Sequence, residues 1–415
     1  MSEVEEKAAK ARQAARRLAH VPVGIRNKAL LSIAAELVNS CKYILAANTM
    51  DMEAGRAKGL SRALLDRLLL TPERVEEMAL GVRAVAALPD PLGVVDGMQT
   101  LANGLQVGRI RVPLGVIGII YEARPNVTVD AAAVCLKAGS AVILRGGSEA
   151  FQSNLALVQV LARAAVDAGI PEGALGMIET TDRAAVDELM KQRAYLDVII
   201  PRGGAGLIQS VVDNSTVPVI ETGVGNCHVF VDEGADLDQA KNIVINAKCQ
   251  RPGVCNAMET LLVHRAEAAS FLPVTLEALK ERGVEVRGCP ATCGLVPWVV
   301  PATGEDWGTE FLDLICAVKV VEGIDEALDH IYCYGTGHSE AIVTRDWSRG
   351  RRFLQEVDAA AVYVNASTRF TDGYQFGFGA EIGISTQKLH ARGPMGLKEL
   401  TTYKYIVYGD GQVRS

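Results

Sequence analysis

The sequence predicts an α/β protein with a doubly wound parallel sheet and a second α/β unit. Three observations lead to this prediction. Strand-length apolar segments alternate with helical segments between residues 115 and 222. Such alternation is typical of βαβ units, whose strands lie parallel in one sheet. The alternation restarts near Val224, and a chain of 415 residues is too long for one simple core.

The first ninety residues predict helices. Apolar residues recur there at intervals of three and four, as on the buried face of an amphipathic helix. Thr71 and Pro72 are a typical N-cap and first helical residue. The helical pattern ends at "LPDPLG" (88–93) and covers three segments: 2–21, 24–48 and 60–88.

From about Gln106 the apolar period becomes that of strands. The continuous apolar run 115–123 is typical of a strand buried on both faces. The helix that follows this strand, 126–139, is predicted to end at Gly139, and Asp182 is predicted to cap a later helix. Four more strands are expected near residues 140, 173, 196 and 217. The second unit shows five strand segments: "CHVFVD", "ETLLVH", "VEVRGC", "AVKVV" and "EAIVT".

The last strand, 402–409, alternates and carries exposed aromatic residues. An exposed strand edge of this kind favours pairing with another chain. We therefore expect it to form a β arm with the strand near 106–112, which would pair between subunits.

Composition excludes several classes of protein. The chain has 42 Lys and Arg against 49 Asp and Glu, a net charge of −7, which argues against a general nucleic-acid binder. No apolar run approaches the roughly 18 residues that span a bilayer, and the charged N-terminus does not resemble a secretory signal. Nine scattered cysteines are typical of reduced thiols. We expect a soluble cytoplasmic protein.

Two glycine loops, "LRGGSEA" (144–150) and "PRGGAGL" (201–207), follow predicted strands. Helix N-termini at this edge of a parallel sheet attract phosphate groups. Neither loop matches GxGxxG, and tight turns alone would also explain the glycines. The candidate nucleotide-binding residues are Gly146, Gly147, Ser148, Gly203 and Gly204.

Arg145 ends the second strand of this sheet. A NAD-binding unit places an acidic residue there for the ribose hydroxyls, whereas a guanidinium suits a 2′-phosphate. A plain surface arginine is the alternative interpretation. The sequence favours a nucleotide site that takes NADP rather than NAD.

Asn126 and Cys255 are the candidate catalytic residues. Asn126 follows a strand in "EARPNVTVD" (122–130), where its amide could donate to an oxyanion; an N-cap alone would also explain it. Cys255 lies in a Pro-Gly loop, "QRPGVCNAMET" (250–260). A thiolate attacks acyl carbons, and the resulting thioester can accept hydride. We expect the other eight cysteines to be inert.

Two cysteine patterns suggest other chemistry. Cys289 and Cys293 have a spacing that metal sites use, but no adequate His/Cys cluster lies nearby in the sequence, so no metal site is expected. His228 adjoins Cys227, as a Cys-His hydrolase would suggest. A strand histidine packed near the site is the interpretation we favour.

Five long segments of the chain carry a family resemblance: 113–150, 200–208, 250–264, 364–373 and 377–405. They resemble the gamma-glutamyl phosphate reductases, a family of the aldehyde dehydrogenase superfamily, and the resemblance extends over nearly the whole chain. It implies a Rossmann-like cofactor-binding domain (1–102 and 113–223), a catalytic domain (224–390) and an oligomerisation arm (103–112 and 391–415).

The resemblance also implies a reaction. The family reduces L-glutamate 5-phosphate with NADPH to L-glutamate 5-semialdehyde and phosphate, the second step of proline biosynthesis, through a cysteine thioester. Another acylating aldehyde dehydrogenase is the alternative, and a non-enzymatic nucleotide-binding scaffold is a further one. The expected partners are a small-molecule substrate, a second or further copies in a homodimer or homotetramer, and transiently the upstream glutamate kinase, with no nucleic acid or membrane.

Five site residues follow from the resemblance. Cys255 matches the nucleophile and Asn126 the oxyanion-hole asparagine. Arg145 stands where many members hold the adenosine ribose with lysine. Glu221 stands where aldehyde oxidisers keep a water-activating glutamate, a duty that a reductase must avoid. Glu310 resembles the glutamate that holds the nicotinamide ribose.

Three more residues are candidates for the substrate. Arg251 could ease the departure of phosphate. Arg369 in "STRFTDG" and Glu381 in "GAEIG" could hold the α-carboxylate and the ammonium group. Each of these two is equally readable as a partner in a structural salt bridge.

Overall fold

The computed structural model describes residues 1–122 and 124–414, without the side chain of Ala63. Within them the chain forms two compact units. Unit 1 comprises Met1–Thr222, Gly377–Gly383 and Met395–Ser415, and unit 2 comprises Gly223–Phe376 and Ile384–Pro394.

Helices and strands alternate along most of the described chain. The helices are α1 (Glu3–Leu18), α2 (Val23–Asn39), α3 (Cys41–Ala57), α4 (Arg62–Leu68), α5 (Pro72–Ala87), α6 (Pro125–Lys137), α7 (Phe151–Asp167), α8 (Ala184–Leu189), α9 (Ala205–Asn214), α10 (Leu237–Cys249), α11 (Arg265–Lys280), α12 (Pro290–Leu295), α13 (Ile324–Tyr334) and α14 (Trp347–Glu356). The strands are β1 (Val95–Thr100), β2 (Gln106–Pro113), β3 (Val116–Tyr121), β4 (Ala141–Arg145), β5 (Leu175–Met177), β6 (Val198–Arg202), β7 (Cys227–Val231), β8 (Met258–His264), β9 (Glu285–Gly288), β10 (Val300–Pro301), β11 (Ile315–Val321), β12 (Ser339–Val343), β13 (Ala361–Val364), β14 (Ile384–Ser385), β15 (Gly393–Pro394) and β16 (Thr401–Tyr408).

Unit 1 is built around a parallel sheet with the order β5-β4-β3-β6. Strands β3 and β4 are buried along their whole length, as the continuous apolar runs predict. The fifth strand predicted near residue 217 is wrong in extent. Val219 makes only an isolated bridge to Ile199, since the neighbouring Pro218 has no N–H with which to extend a ladder.

The helical part of unit 1 follows the predicted signals with one correction. Thr71 accepts a hydrogen bond from the N–H of Arg74 at 3.2 Å, and Pro72 begins α5. The single helix predicted over 24–48 is instead two helices, α2 and α3, which meet at Ser40 with a bend of 66°. The apolar period continues through the bend, so periodicity alone does not reveal it.

Two further helix signals are found in the structure. Gly139, which follows the C-cap Ala138 of α6, has φ of +72°, a left-handed conformation that glycine adopts at low cost. Asp182 Oδ1 accepts from the N–H of Ala184 at 3.0 Å, although Arg183 is the residue at the cap position of α8.

A separate antiparallel sheet in unit 1 has the order β1-β2-β16. Strand β1 is exposed throughout and most of β16 is exposed. The sequence predicted β2 and β16 but missed β1. Gly97, with φ of +69°, lies in a register shift between Asp96 and Met98, which interrupts the alternation on which strand prediction depends.

The segment Gly377–Gly383 belongs to unit 1 rather than to the predicted second domain. Backbone hydrogen bonds explain this assignment: the N–H of Ile382 donates to Met395, and the N–H of Met395 donates to Gly383, at 2.9 and 2.7 Å. Residues 391–394, predicted in the arm, belong to unit 2, where β15 pairs with β14.

Unit 2 contains a parallel sheet with the order β10-β9-β11-β8-β7-β12-β13. The five predicted segments correspond to β7, β8, β9, β11 and β12. The missed strands are short edge strands, β10 and β13. The predicted α/β class with parallel sheets is confirmed.

No individual helix in 1–122 or 124–414 is both long and apolar enough to span a bilayer; α2 and α3 meet such a criterion only when taken as one bent pair.

Candidate active site

Cys255 lies in the short loop between α10 and β8 of unit 2. The loop begins with exposed Arg251 and turns tightly, because the N–H of Ala257 donates to the carbonyl of Val254 at 3.0 Å. Cys255 itself is half-buried, while Asn256 and the residues that follow are buried. The candidate nucleophile therefore stands at the edge of a packed strand.

The backbone of Gly225 packs against this loop. A methyl group at position 225 would overlap the carbonyl group of Cys255 and lie 2.7 Å from its Cα. The N–H of Gly225 donates to Oε1 of Glu310 at 2.7 Å. Burial raises the pKa of Glu310. Glu310, predicted to hold the nicotinamide ribose, thus holds the backbone on which the Cys255 loop rests.

Arg369 spans the same loop. Its Nε donates to Oε1 of Gln250 at 2.8 Å, and its Nη1 donates to Oδ1 of Asn256. These partners flank Cys255 on its two sides. Thr368 donates through Oγ1 to the Asn256 carbonyl at 2.7 Å, and the carbonyl of Thr371 accepts from Asn256 Nδ2 at 2.8 Å. The loop is therefore fixed by side-chain and backbone groups of the segment 368–371.

Cys227 is a second thiol in contact with the loop. Its Sγ donates to the Cys255 carbonyl at 3.2 Å and lies 3.7 Å from Nδ1 of His338. Burial raises the pKa of the Cys227 thiol and lowers the pKa of His338 to about 4. Both shifts favour neutral groups, which is the opposite of an activated thiolate–imidazolium pair.

His228 does not pair with its neighbour Cys227. Successive residues of a strand point to opposite faces, and Nδ1 of His228 lies 2.9 Å from Oε2 of Glu340. The His228 ring also packs edge-on against His330, with centroids 5.5 Å apart. His228 is a buried strand residue, as favoured above, and the geometry contradicts a hydrolase dyad at Cys227–His228.

A buried ion pair lies beside the loop in unit 2. Lys248 Nζ is 2.6 Å from Oε2 of Glu259, and both side chains are fully buried. The register of β7 and β8 shifts so that Met258 and Thr260 oppose consecutive residues, which leaves Glu259 as the extra residue. Burial raises the pKa of Glu259 to about 7, and Lys248 opposes that increase.

Cys289 and Cys293 lie at α12, and their sulfur atoms take part in hydrogen bonds with protein groups. Cys289 Sγ contacts Thr292 Oγ1 and accepts from the N–H of Val320, each at 3.4 Å; Cys293 Sγ donates to the Gly288 carbonyl. In 1–122 and 124–414, no set of three or more His, Cys, Asp or Glu side chains is arranged to hold a metal.

Asn126 lies in the first turn of α6 in unit 1, where Arg124 occupies the cap position. Its Nδ2 lies 3.4 Å from Oδ2 of Asp130, one helical turn later. Burial raises the pKa of Asp130 to about 6, while Asn126 and Arg202 oppose the increase. Asn126 is thus a donor whose amide group is oriented by a carboxyl group.

Arg145 ends β4 and is buried. Its Nη1 donates to the Gly146 carbonyl at 2.7 Å, and its Nη2 donates to the carbonyls of Thr181 and Asp182 at 3.1 and 3.3 Å. Its Nε is buried and has no partner among the described residues. The guanidinium is therefore turned largely toward backbone carbonyls.

The first glycine loop leads from β4 to α7. A Cβ at Gly146 would collide with Asn154 and come within 3.1 Å of Tyr121, so this position requires glycine. Gly147 is half-buried and Ser148 is exposed. The turn thus offers accessible backbone beside a buried cation, an arrangement that fits an anionic nucleotide.

The second glycine loop leads from β6 to α9. The N–H of Gly204 donates to Oε1 of Glu122 at 3.2 Å, and a Cβ at Gly203 would lie 2.7 Å from the Glu122 carboxyl carbon. A carboxylate therefore occupies the start of α9. A phosphate would meet a like charge there, so the first loop is the better phosphate site.

The remaining candidates are placed as follows. Glu221 is half-buried in unit 1, two residues after Val219. Glu381 is also half-buried and lies in the segment Gly377–Gly383 of unit 1. Unit 2 brings together Cys255, Arg369 and Arg251, since the charges of the latter two interact. Candidates of unit 1 form a separate set, which includes Asn126, Arg145, Glu221 and Glu381.

Sequence reasoning missed the structural roles of four groups at or beside the loop: Gly225, Cys227, Lys248 and Glu259. The segment "GVGNC" (223–227) carries one usable signal, a glycine two residues before a buried strand, which is typical of close backbone approach. No sequence pattern pairs Lys248 with Glu259, since Lys248 lies in α10 and Glu259 in β8, with the Cys255 loop between them.

The sequence model of the aldehyde dehydrogenase family matches residues 1–289. The "Gamma-glutamyl phosphate reductase" of Moorella thermoacetica is 66% identical over 412 residues, which cover 99% of this chain and 99% of that relative. The protein of the same name from Carboxydothermus hydrogenoformans is 64% identical over 414 residues, with 100% of each chain covered. This chain belongs to the gamma-glutamyl phosphate reductases of the aldehyde dehydrogenase family.

Solved structures agree with this membership. The crystal structure of gamma-glutamyl phosphate reductase from Thermotoga maritima has a TM-score of 0.98 and 55% identity, with 100% of both chains covered. An acetylating aldehyde dehydrogenase from Geobacillus thermoglucosidasius has a TM-score of 0.71 at 19% identity, over 100% of this chain and 98% of that one; this likeness concerns the fold alone. The predicted Rossmann-like fold with a second α/β domain is thereby confirmed for this gamma-glutamyl phosphate reductase family member.

Proposed function

We propose that this chain reduces L-glutamate 5-phosphate to L-glutamate 5-semialdehyde and phosphate with NADPH, through a thioester on Cys255. The observation that carries the proposal is the Cys255 loop. A half-buried thiol is held there by Gly225, Asn256 and Arg369, whereas Cys135, Cys227 and Cys316 are fully buried. Relatives of 59–66% identity bear the name of this activity.

Cys255 performs the covalent chemistry in this proposal. Its thiolate attacks the acyl carbon, the carbonyl re-forms as phosphate leaves, and a thioester remains on the sulfur. Arg251 is exposed at the start of the loop, and its positive charge stabilises the departing phosphate dianion. Glu310 and Gly225 keep the loop backbone in place while the sulfur changes its bonding.

Two donors stabilise the oxyanion in this proposal. One is the backbone N–H of Cys255, and the other is the side-chain amide of Asn126, which Asp130 orients. Donors that are fixed before the reaction favour the transition state because they need not reorganise as charge develops.

The residues of the first glycine loop fit a nicotinamide dinucleotide. Accessible backbone at Gly147 and Ser148 suits a phosphate, and the buried Nε of Arg145 is a donor without a hydrogen-bond partner among the described residues. These residues would hold the cofactor. A bound NADPH would supply the hydride that converts the thioester to the aldehyde. Preference for NADP rests on the positive charge of Arg145.

The proposal gives Glu221 no part in activating water. A glutamate that activated water would hydrolyse the thioester and waste the acyl group, so the proposed reaction requires that Glu221 does not activate water.

The product carries an amine within reach of its own aldehyde and should cyclise unaided. Arg369 and Glu381 remain proposed contacts for the α-carboxylate and ammonium groups of the substrate.

We also propose that β1 and β16 pair between copies of the chain. Both strands are edges of their sheet, and Tyr403, Tyr405 and Tyr408 are exposed on β16. Exposed edges with apolar side chains favour association. The proposal covers a homodimer or a homotetramer.

The reverse reaction tests the activity. Purified protein with glutamate semialdehyde should reduce NADP only when inorganic phosphate is present, and C255A should show no such reduction. C333A removes an exposed thiol and serves as the matched control that keeps full activity. Reduction that needs CoA, or that proceeds without phosphate, would instead indicate another aldehyde dehydrogenase activity.

A further inference from the structure

We propose that Arg369 is a positioning residue for the nucleophile: its guanidinium spans the Cys255 loop and stabilises the thiolate form of Cys255. The inference deepens the proposed function, since it rests on Cys255 being the nucleophile. It gives Arg369 a task that needs no substrate.

The geometry of the guanidinium is the first support. Nε and Nη1 project from adjacent positions of one plane, and their acceptors, Gln250 and Asn256, stand five residues before and one residue after Cys255. A rigid planar fork that is hydrogen-bonded on both sides of a loop restricts its opening. Arg369 therefore fixes the backbone from which the sulfur projects.

The surrounding anchors make the fork rigid. Asn256, its principal partner, is buried, and its Nδ2 and carbonyl are held by Thr371 and Thr368. Ser367 Oγ accepts from the N–H of Arg369 at 3.3 Å. Each end of the guanidinium contact is thus attached to groups that cannot move independently of unit 2.

The electrostatics are the second support. The charged groups that interact with Arg369 are Arg251 and Asp372, together with the thiols Cys255 and Cys227 when ionised. Burial comes first among the causes that lower the pKa of Arg369, and the Arg251 charge also lowers it; Asp372 and the two thiols act in the opposite direction. Attraction between two groups is mutual, so the guanidinium favours thiolate at Cys255. Cys227 is fully buried and its pKa is raised, so it stays a thiol. The thiolate that Arg369 stabilises is therefore that of Cys255.

The test measures the ionisation of Cys255 without turnover. Resting protein, free of substrate and cofactor, is alkylated with iodoacetamide from pH 5 to 10, and the Cys255 peptide is quantified by mass spectrometry. R369M removes both charge and fork, whereas R369K keeps the charge and loses the fork. R265M removes an exposed cation of unit 2 that pairs with Glu322 and serves as the control for net charge.

We expect R369M to raise the apparent pKa of Cys255 by about one unit, which is about a tenfold loss of thiolate at neutral pH. Because a more basic thiolate is more nucleophilic, the alkylation rate at pH 7 should fall only about three- to fourfold. R369K should keep a pKa near that of wild type but lose kcat, since the loop is no longer held. R265M should match wild type in both.

An unchanged Cys255 pKa in both R369M and R369K would overturn the inference. If R369M leaves the alkylation profile unchanged and only raises KM for the acyl phosphate, Arg369 acts on the substrate alone and the inference also fails. Since alkylation requires neither substrate nor NADPH, it decides on Arg369 even if the proposed reaction itself were wrong.

Discussion

The backbone of Gly225 lies directly against the carbonyl group of Cys255, so closely that even a methyl side chain at position 225 would overlap it. Glu310 accepts from the N–H of the same glycine at 2.7 Å. The position of the candidate nucleophile therefore depends on a residue thirty positions earlier in the chain that has no side chain, and on the carboxyl group that holds it.

G225A should abolish most of the activity. The added Cβ must displace the Cys255 backbone, and misplacement of a reacting group by about 1 Å costs on the order of 100-fold in rate. The measurement is kcat/KM in the phosphate-dependent assay. G294A is the control, because a Cβ at Gly294 in α12 meets no atom within 4 Å. Wild-type kinetics in G225A would show that the loop adapts and that this contact does not position Cys255.

K248M should destabilise the protein by about 3–5 kcal/mol, because it leaves a buried carboxyl group without its cation. Glu259 has a folded pKa raised from 4.5 to about 7, so its contribution to stability declines as pH rises from about 4.5 to 7. Loss of Lys248 raises that pKa further. The deficit of K248M should therefore be larger at pH 8 than at pH 5.

Urea unfolding midpoints at the two pH values measure this effect. The double variant K248M/E259Q should recover more than half of the loss, since no charge is left buried. A deficit in K248M that is the same at pH 5 and pH 8, or a double variant no more stable than K248M, would contradict the ion-pair explanation.

The fall in activity at acidic pH should follow the protonation of Asp130. Its folded pKa of about 6 lies above its ordinary value of 3.8 because of burial, so the carboxylate that orients Asn126 forms only as pH rises through about 6. Rates should fall below that pH, whereas stability contributed by the protonated carboxyl should decline between about 3.8 and 6.

D130N replaces the carboxyl group with a neutral amide of the same shape. It should remove the limb near pH 6 and lower kcat several-fold, because the Asn126 amide is no longer fixed by a charged acceptor. D187N, at the exposed side of the six-residue helix α8, is the matched control. An acid limb that persists unchanged in D130N would assign it to another group.

The sequence predicted those parts of the fold that depend on local pattern. Strands β3 and β4 are buried on both faces, as their continuous apolar runs predict. Thr71 and Pro72 mark a helix start through their own hydrogen-bonding chemistry. The failures have physical causes of the same kind: Gly97 breaks the alternation of β1, Pro218 prevents a fifth full strand, and α2 runs into α3 without a break in apolar period.

The site was less accessible to sequence reasoning. Cys255 and Asn126 stand in motifs whose residue types match the chemistry proposed for them. The hydrogen bonds of Arg369 to Gln250 and Asn256 join residues more than a hundred positions apart, as does the contact of Cys227 with His338. Only the packing of unit 2 brings such residues together, so a substrate role for Arg369 and a structural one could not be separated in advance.

The most direct test of the proposed thioester is to identify the residue that carries the acyl group. Protein is incubated without NADPH while glutamyl phosphate is generated in place by a kinase and ATP, then denatured in acid, digested and mapped by mass spectrometry. With Cys255 as the nucleophile, a glutamyl adduct is expected on the peptide that contains this residue, released by hydroxylamine and absent from C255A. A glutamyl adduct on a different cysteine, or full turnover by C255A, would contradict it.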